Sequence, residues 1–406
     1  MTIIEFYDRN AIENVVSTLL CHPEQVVFVG DSKRRLNAAV ENCRTIAEGR
    51  GLAVEFFTVT VGKNNLTEIV QTLTQLVEEF GQVTFDLTGG DELYLVAAGI
   101  LYEYYGPERV QLHRFNIRNG TLSDCDADGN LMAAEEAEIS VEENICAYGG
   151  RLLFAPEEEQ GTENWDFNYD FLRDVDSMWE ICSEEPTRWN TQIHALGWMH
   201  QYLPEDAGLQ FSLDLDEVAG ELEKKGVKFV FYQDLFEKLR RHGLIRSLRV
   251  EEGHLSFQYK NEQVMRSLTK AGQALELYVT AVARESGVYN DVLCGAVIDW
   301  DGQEEDGPAD TRNEIDVMLM KGLVPIFISC KNGHVSMEEL YKLNTVAERF
   351  GRRYSKKVLI SSTLDKSKNS EYIRARAEDM GIRIIDDVDN MSRDRLSRAI
   401  RSLWSN

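Results

Sequence analysis

Along the first 120 residues, short apolar runs alternate with longer stretches of helical spacing. "IIEFY" (3–7) stops at Asp8-Arg9-Asn10 and a helix pattern follows from Ala11 to Leu20. "VVFVG" (26–30), "AVEFFTVTV" (53–61), "VTFDL" (83–87) and "VQLHRF" (110–115) repeat the theme, with amphipathic stretches between them. Strands alternating with helices predict a mostly parallel sheet covered on both faces. Residues 120–165 are turn-rich and acidic ("SDCDADGN", "APEEEQGTEN") and read as irregular connections. Residues 165–270 are helical with short strands. There "YQDLFEKLRRHGLIRSLRVEEGHLSFQY" has the helix, tight turn and hairpin of a winged helix. From 271 the order becomes helix, three strands ("DVLCGAVIDW", "EIDVMLM", "VPIFISCK"), helix, strand, helix, strand. That order predicts a mixed α/β core rather than a doubly wound nucleotide fold.

A chain of 406 residues exceeds one ordinary core, so several domains are expected: an N-terminal unit over 1–150, a linker unit over 165–270 and a third unit over 271–406. Seven scattered cysteines without a CxxC fit reduced thiols in a cytoplasm and argue against a disulfide framework or zinc finger. No apolar run has the length of a membrane helix, so no membrane association is expected. The N-terminus reads as a folded strand rather than a signal peptide. The net charge of −26 argues against passive binding to nucleic acid. The charge is uneven, however: Leu340 to Asn406 carries fifteen Lys/Arg against nine Asp/Glu. This is either a solvated helical surface or a face that meets a polyanion.

Thr88-Gly89-Gly90 ends the fourth strand and enters a helix at Asp91-Glu92. Two glycines allow close backbone approach, and a helix N-terminus offers free N–H groups to a phosphate. A plain tight turn explains the same residues. Asp8-Arg9-Asn10 and Asp31-Ser32-Lys33-Arg34 sit at equivalent strand ends, so three loops can converge on one crevice. The absence of GxGxxG and GxxxxGK[ST] weakens an NAD or ATP reading, though a dinucleotide-dependent enzyme remains a rival.

The second cluster lies in "NEIDVMLM" and "VPIFISCK", joined at Lys321-Gly322-Leu323 as a hairpin. Alternation puts Ser329 and Lys331 on one face with Phe327, and Cys330 on the other with Ile326 and Ile328. Lys331 alone reads as a strand-end lysine reaching water. Asp316, between Ile315 and Val317, needs a partner. Glu276 sits inside the apolar helix "ALELYVTAV". A metal-dependent phosphodiesterase needs hard oxygen ligands for Mg²⁺ or Mn²⁺ and a cation near the attacked phosphate.

Two resemblances follow from these residues. The five-strand N-terminal pattern with its Thr-Gly-Gly loop resembles the Rossmann-like CARF sensor domain. Asp91-Glu92 stand where that family usually has Thr-Lys. Asp316, Lys331 and Glu276 resemble the PD-(D/E)xK motif of restriction-endonuclease-like domains, with Ser329 in place of one acid. Glu339 and Glu338 are the candidates to replace it, Glu314 a weaker one, and Asn290-Asp291 a further neighbour. Ser336-Met-Glu-Glu339 also reads as a helix capping box. The whole chain resembles the CARF-fused nucleases of type III CRISPR defence. The resemblance implies a homodimer that binds a cyclic oligoadenylate, cyclic tetra-adenylate, through Asp8, Arg9, Asn10, Asp31, Ser32, Lys33, Thr88, Gly89, Gly90, Asp91 and Glu92. It also implies a Mg²⁺- or Mn²⁺-dependent nuclease for DNA or RNA, with Glu276, Asp316, Lys331 and Glu339 catalytic. The metal would lie on Asp316, Glu276 and the Cys330 backbone carbonyl. The alternative is an oligoadenylate-responsive DNA-binding regulator whose last domain is inert.

Overall fold

The computed structural model describes residues 1–118, 120–125, 131–132, 137–155, 161–226, 229–302, 312–364 and 369–405. Parts of the acidic connections (126–130, 156–160), together with Lys366 and Lys368 of the basic C-terminal stretch, lie outside them.

The N-terminal sheet holds β1 (Thr2–Phe6), β2 (Gln25–Gly30), β3 (Glu55–Thr60), β4 (Val83–Asp86), β5 (Val110–Asn116), β6 (Thr121–Asp124) and β7 (Leu131–Met132). Their order is β3-β2-β1-β4-β5-β6-β7, parallel through the first five and antiparallel after β5. Helices α1 (Ala11–Cys21) and α2 (Lys33–Gly49) are buried in a different apolar cluster from α3 (Leu66–Phe80) and α4 (Glu92–Tyr105), so the two pairs cover opposite faces. The strand order reverses between β1 and β4. That reversal is where an open α/β sheet splits its loops and leaves a crevice.

The stretch from 120 to 165 is more regular than its turn-rich composition implies. β6 and β7 extend the sheet, and α5 (Val141–Ala147) starts at a capping box in which Ser140 Oγ accepts from the Glu143 N–H and Glu143 returns to Ser140. β8 (Arg151–Leu152) then joins a different sheet. Composition hid these elements because each is short and made by tertiary pairing rather than by its own periodicity.

The middle contains α6 (Tyr169–Glu184), α7 (Pro186–Met199), β9 (Gln210–Asp214), α8 (Leu215–Lys224), α9 (Gln233–Arg241), β10 (Ile245–Glu251), β11 (His254–Tyr259) and α10 (Glu262–Ser267). Its sheet runs β10-β11-β9, all antiparallel. Helix, strand, two helices and a hairpin that closes back on the first strand are the winged-helix arrangement.

The C-terminal unit comprises α11 (Gln273–Glu285), β12 (Asp291–Asp299), β13 (Arg312–Lys321), β14 (Val324–Lys331), α12 (Met337–Phe350), β15 (Lys356–Ser361), α13 (Ser370–Asp379), β16 (Ile382–Ile385) and α14 (Arg393–Ser405). The sheet order is β16-β15-β14-β13-β12-β8, with β14, β15 and β16 parallel and the rest antiparallel. One face of this sheet shares an apolar cluster with α1, α2 and α5, and the other shares a cluster with α6, α7 and the winged helix. The units are therefore packed through common cores. No described helix is long and apolar enough to cross a membrane.

Candidate functional site

The β13–β14 ladder runs from Lys321 opposite Val324 to Val317 opposite Ile328, and there the pairing ends. The next residue of β13 is Asp316. Its Oδ2 accepts from the Cys330 N–H at 2.6 Å and from Ser329 Oγ at 3.1 Å, so the carboxylate takes up the strand edge that the ladder leaves. This is the partner that an acid between Ile315 and Val317 requires. On β12, Gly295 lies opposite Asp316 with φ +65°, a bend that a Cβ would strain.

Lys331 Nζ lies 3.5 Å from Asp316 Oδ2 and 3.1 Å from Glu339 Oε2. Burial disfavours its charge, but Asp316 and then Glu339 outweigh burial and raise its pKa above the ordinary lysine value. Ser336 caps α12 without a side-chain hydrogen bond, so the capping box is not formed and Glu339 faces the lysine instead.

Glu276 approaches from the first turn of α11 and is only 7% exposed. Gln273 Nε2 donates to its Oε2 at 3.2 Å. Burial first, and then the Asp316 charge, push its pKa up to about 8, with Lys270 and Lys331 pulling the other way. Glu314, two residues before Asp316 and so on the same strand face, lines the same small cleft and is held by Lys270 at 2.6 Å. The cleft has a volume of about 20 Å³, room for one water-sized body.

Asn290 and Asp291 are elsewhere. Asn290 Oδ1 accepts from the Gly322 N–H at 2.7 Å and Asp291 Oδ2 from the Val141 N–H at 2.7 Å. They secure the hairpin turn, because β12 runs antiparallel to β13 and its start meets the far end of that strand.

Whether this set fits a divalent cation can be read from its donors. Among the described residues, no group of three or more His, Cys, Asp or Glu is gathered closely enough to hold a metal ion. Asp316 and Glu276 are near enough for the Asp316 charge to raise the Glu276 pKa, so these two carboxylates are the candidate side-chain donors. The Lys331 carbonyl accepts from the Ser362 N–H on the β15 side, whereas the Cys330 N–H faces Asp316. Successive residues of a strand turn their peptide groups to opposite neighbours, so the Cys330 carbonyl shares the Asp316 edge. Two carboxylates, one carbonyl and water suit Mg²⁺ or Mn²⁺, which keep several waters, and do not suit Zn²⁺.

At the N-terminal switch point lies a crevice of about 580 Å³. Asp8, Arg9, Asn10, Asp31, Gly90 and Asp91 line it. Asp8 closes the first loop: its Oδ1 accepts from the Asn10 N–H at 2.8 Å and its Oδ2 from the Gly90 N–H at 3.2 Å. Burial of Asp8 opposes its charge, and those N–H groups overcome it and lower the pKa. Thr88 faces inward, its N–H on Asp86 Oδ1 at 2.7 Å and its Oγ1 on the Phe115 N–H at 2.8 Å. Gly89 packs against Asp8 and Glu13. Ser32, Lys33, Thr88, Gly89 and Glu92 are not lining residues; Lys33 and Glu92 are exposed, and Arg35 and Lys63 supply cations instead. Sequence reasoning missed the opposite wall, formed by Glu348, Arg352 and Arg353 of the C-terminal unit. Arg353 and Tyr354 both donate to Glu13, a fully buried carboxylate of α1, which docks the two units there.

The basic surplus of the C-terminal unit is largely engaged inside the chain. Arg393 bridges Asp176 and Glu285, Arg383 binds Ser402, and Lys357 meets Glu348.

Asp316 and Lys331 thus meet at one strand edge of a mixed α/β sheet, with the buried Glu276 close by. Residues 260–400 match the family model of the Card1-like endonuclease domain, which covers about the C-terminal third of the chain. Two solved structures are similar along the whole length. One is the crystal structure of protein VC1899 from Vibrio cholerae, at a TM-score of 0.72 and 16% identity, covering 100% of this chain and 98% of that one. The other is Can2 from Sulfobacillus thermosulfidooxidans in complex with cyclic tetra-adenylate, at a TM-score of 0.67 and 16% identity, covering 98% and 99%. At such identity the likeness is one of fold, and it spans all three units of the chain together. No curated protein matches the sequence.

Proposed function

We propose that the chain is a nuclease switched on by a cyclic oligoadenylate, cyclic tetra-adenylate in particular. In this reading it hydrolyses DNA or RNA phosphodiester bonds with Mg²⁺ or Mn²⁺ and serves type III CRISPR defence. The observation that carries the reading is Lys331, held between Asp316 and Glu339 beside the buried Glu276. The Card1-like match over 260–400 supports the activity, and the cyclic tetra-adenylate bound by Can2 supports the activator.

Lys331 keeps its proton and places a cation where charge develops on the attacked phosphate. Asp316 is oriented by the Cys330 N–H and Ser329 Oγ, which leaves its other oxygen to bind. Glu276, Asp316 and the Cys330 carbonyl would hold the divalent cation, which when bound supplies Lewis acidity and an acidified water. Ser329 then replaces the missing acid by orienting Asp316 rather than by binding metal, and Glu339 by positioning Lys331.

A homodimer is part of the proposal. Val96, Ile100 and Tyr104 lie at i, i+4 and i+8 on α4 and are 47%, 44% and 77% exposed, an apolar stripe on the sensor's own surface.

The test is incubation of the purified chain with plasmid, single-stranded DNA and RNA, with Mg²⁺ or Mn²⁺, with and without cyclic tetra-adenylate. Cleavage that depends on the activator is expected. No cleavage under any combination sinks the nuclease reading and favours the DNA-binding regulator. Cleavage undiminished in Lys331→Ala sinks the site.

A further inference from the structure

Three arginines face the sensor crevice without a hydrogen bond or ion pair among the described residues: Arg9, Arg35 and Arg352. The acids around them are mostly taken. Asp8 accepts backbone N–H groups, Asp91 pairs with Lys63 at 3.4 Å and Glu348 pairs with Lys357 at 3.2 Å. The lining's five cations (Arg9, Arg35, Lys63, Arg352 and Arg353) outnumber its four acids (Asp8, Asp31, Asp91 and Glu348), so a space of about 580 Å³ is left with a small positive surplus and three guanidinium groups free to bind an anion.

Arg352 differs from the other two in three respects. It belongs to the C-terminal unit, not the sensor. Its Nε is buried and has no hydrogen-bond partner, an N–H that costs free energy until something accepts it. Its backbone sits at φ +46°, a conformation that a non-glycine residue adopts at a cost. Its charge also lies close enough to Arg349 to depress that residue's pKa, second to burial. A strained, unpaired guanidinium held against a second arginine is set up for an anion, and its planar fork suits a phosphodiester.

Arg352 stands two residues past the end of α12, after Gly351, and Glu348 in the last turn of that helix lines the same crevice. That helix has 14 residues, so it is about 21 Å long. Its first turn carries Glu339, the partner of Lys331. One rigid element thus ends at the crevice and begins at the nuclease-like site. We propose that Arg352 is a phosphate-binding residue of the activator site contributed by the C-terminal unit, and that α12 relays activator occupancy to the Glu339–Lys331 pair. The proposal rests on the cyclic oligoadenylate reading above.

Calorimetric titration of the full chain with cyclic tetra-adenylate, alongside cleavage at saturating activator, tests it. Arg352→Asn and Arg352→Gly both tolerate the positive φ, so neither removes the guanidinium at a backbone cost. Both variants are expected to bind the activator about 10-fold or more weakly, the effect of losing one charged hydrogen bond. Both are also expected to cleave below the wild-type rate even at saturation. Unchanged affinity in both variants overturns the Arg352 contact and leaves the activator reading intact. Weaker affinity with full cleavage at saturation overturns the relay. A wild-type chain that takes up no cyclic oligoadenylate overturns the activator reading and this inference with it.

Discussion

Glu339 Oε2 lies 3.1 Å from Lys331 Nζ, although Ser336-Met-Glu-Glu339 has the sequence of a capping box. A capping box gives the carboxylate a neutral backbone N–H; the ammonium on the neighbouring strand gives it a full positive charge as well as a donor. The helix start gives up its side-chain cap, and the lysine gains a second anion besides Asp316.

Glu339→Gln is therefore expected to lower activator-dependent cleavage by about 10- to 100-fold. It also lets the Lys331 pKa fall toward its ordinary value, so the alkaline limb of the pH–rate profile moves to lower pH. Ser336→Ala, which removes no side-chain cap bond, is expected to shift stability by less than about 0.5 kcal/mol. Rates measured across pH, with thermal melts of both variants, check this. An unmoved alkaline limb in Glu339→Gln means that the carboxylate does not position the lysine.

Glu276 sets a pH dependence of stability in the metal-free protein. Its folded pKa, pushed up to about 8 by burial and then by Asp316, stands above the ordinary glutamate value near 4.5. The folded state thus holds a proton that the unfolded state has lost. The contribution is fully present below about pH 4.5 and is lost as pH rises through about 8. Melting curves in chelator are expected to show stability falling across that window by a few kcal/mol, in order of magnitude. Glu276→Gln flattens that part of the profile. Mn²⁺ is expected to restore most stability at the alkaline end, where proton competition for the carboxylates is least. A wild-type profile identical to that of Glu276→Gln is the result that contradicts this.

The α4 stripe yields a prediction about assembly. Ile100 is 44% exposed and flanked one turn away on each side by Val96 and Tyr104. A glutamate at its centre is harmless on a solvated surface and costly inside an apolar interface. Ile100→Glu is expected to convert a dimer into a monomer in sedimentation velocity, with an unchanged melting temperature at low protein concentration. A dimer that survives the substitution places the interface elsewhere.

What the sequence revealed and what it hid divide along physical lines. Strand alternation and a short turn were enough to bring Asp316 to Lys331, because both consequences are local to one hairpin. Alternation also puts Glu314 beside Asp316 on one face, the signal for a residue that was undervalued. At the second strand end the sequence marks out Lys33 and Arg34, yet Arg35 lines the crevice. Successive residues of a helix start are turned by about 100°, so proximity in sequence does not select the facing side chain. Arg352 and Glu13 lay beyond reach altogether. Each acts on a unit far away in the chain, and only the shared core packing of the N-terminal and C-terminal units brings them to it.

The final prediction concerns the loop between β4 and α4. Gly90 has φ +102°, and a Cβ built there would stand 2.5 Å from the Phe6 Cβ. Phe6 cannot retreat: it is fully buried and stacked between Phe85 at 5.8 Å and Tyr94 at 5.7 Å. Gly90→Ala therefore adds a strained backbone to a clash with rigid core, and about 2–4 kcal/mol of lost stability is expected. The loop must shift to relieve the clash. That shift withdraws the Gly90 N–H from Asp8, whose lowered pKa depends on it after the Asn10 N–H. Denaturant unfolding measures the stability loss, and cyclic tetra-adenylate titration of the still-folded fraction is expected to show weakened binding. Wild-type stability in Gly90→Ala means that the Thr88-Gly89-Gly90 loop is not held against Phe6 in this way.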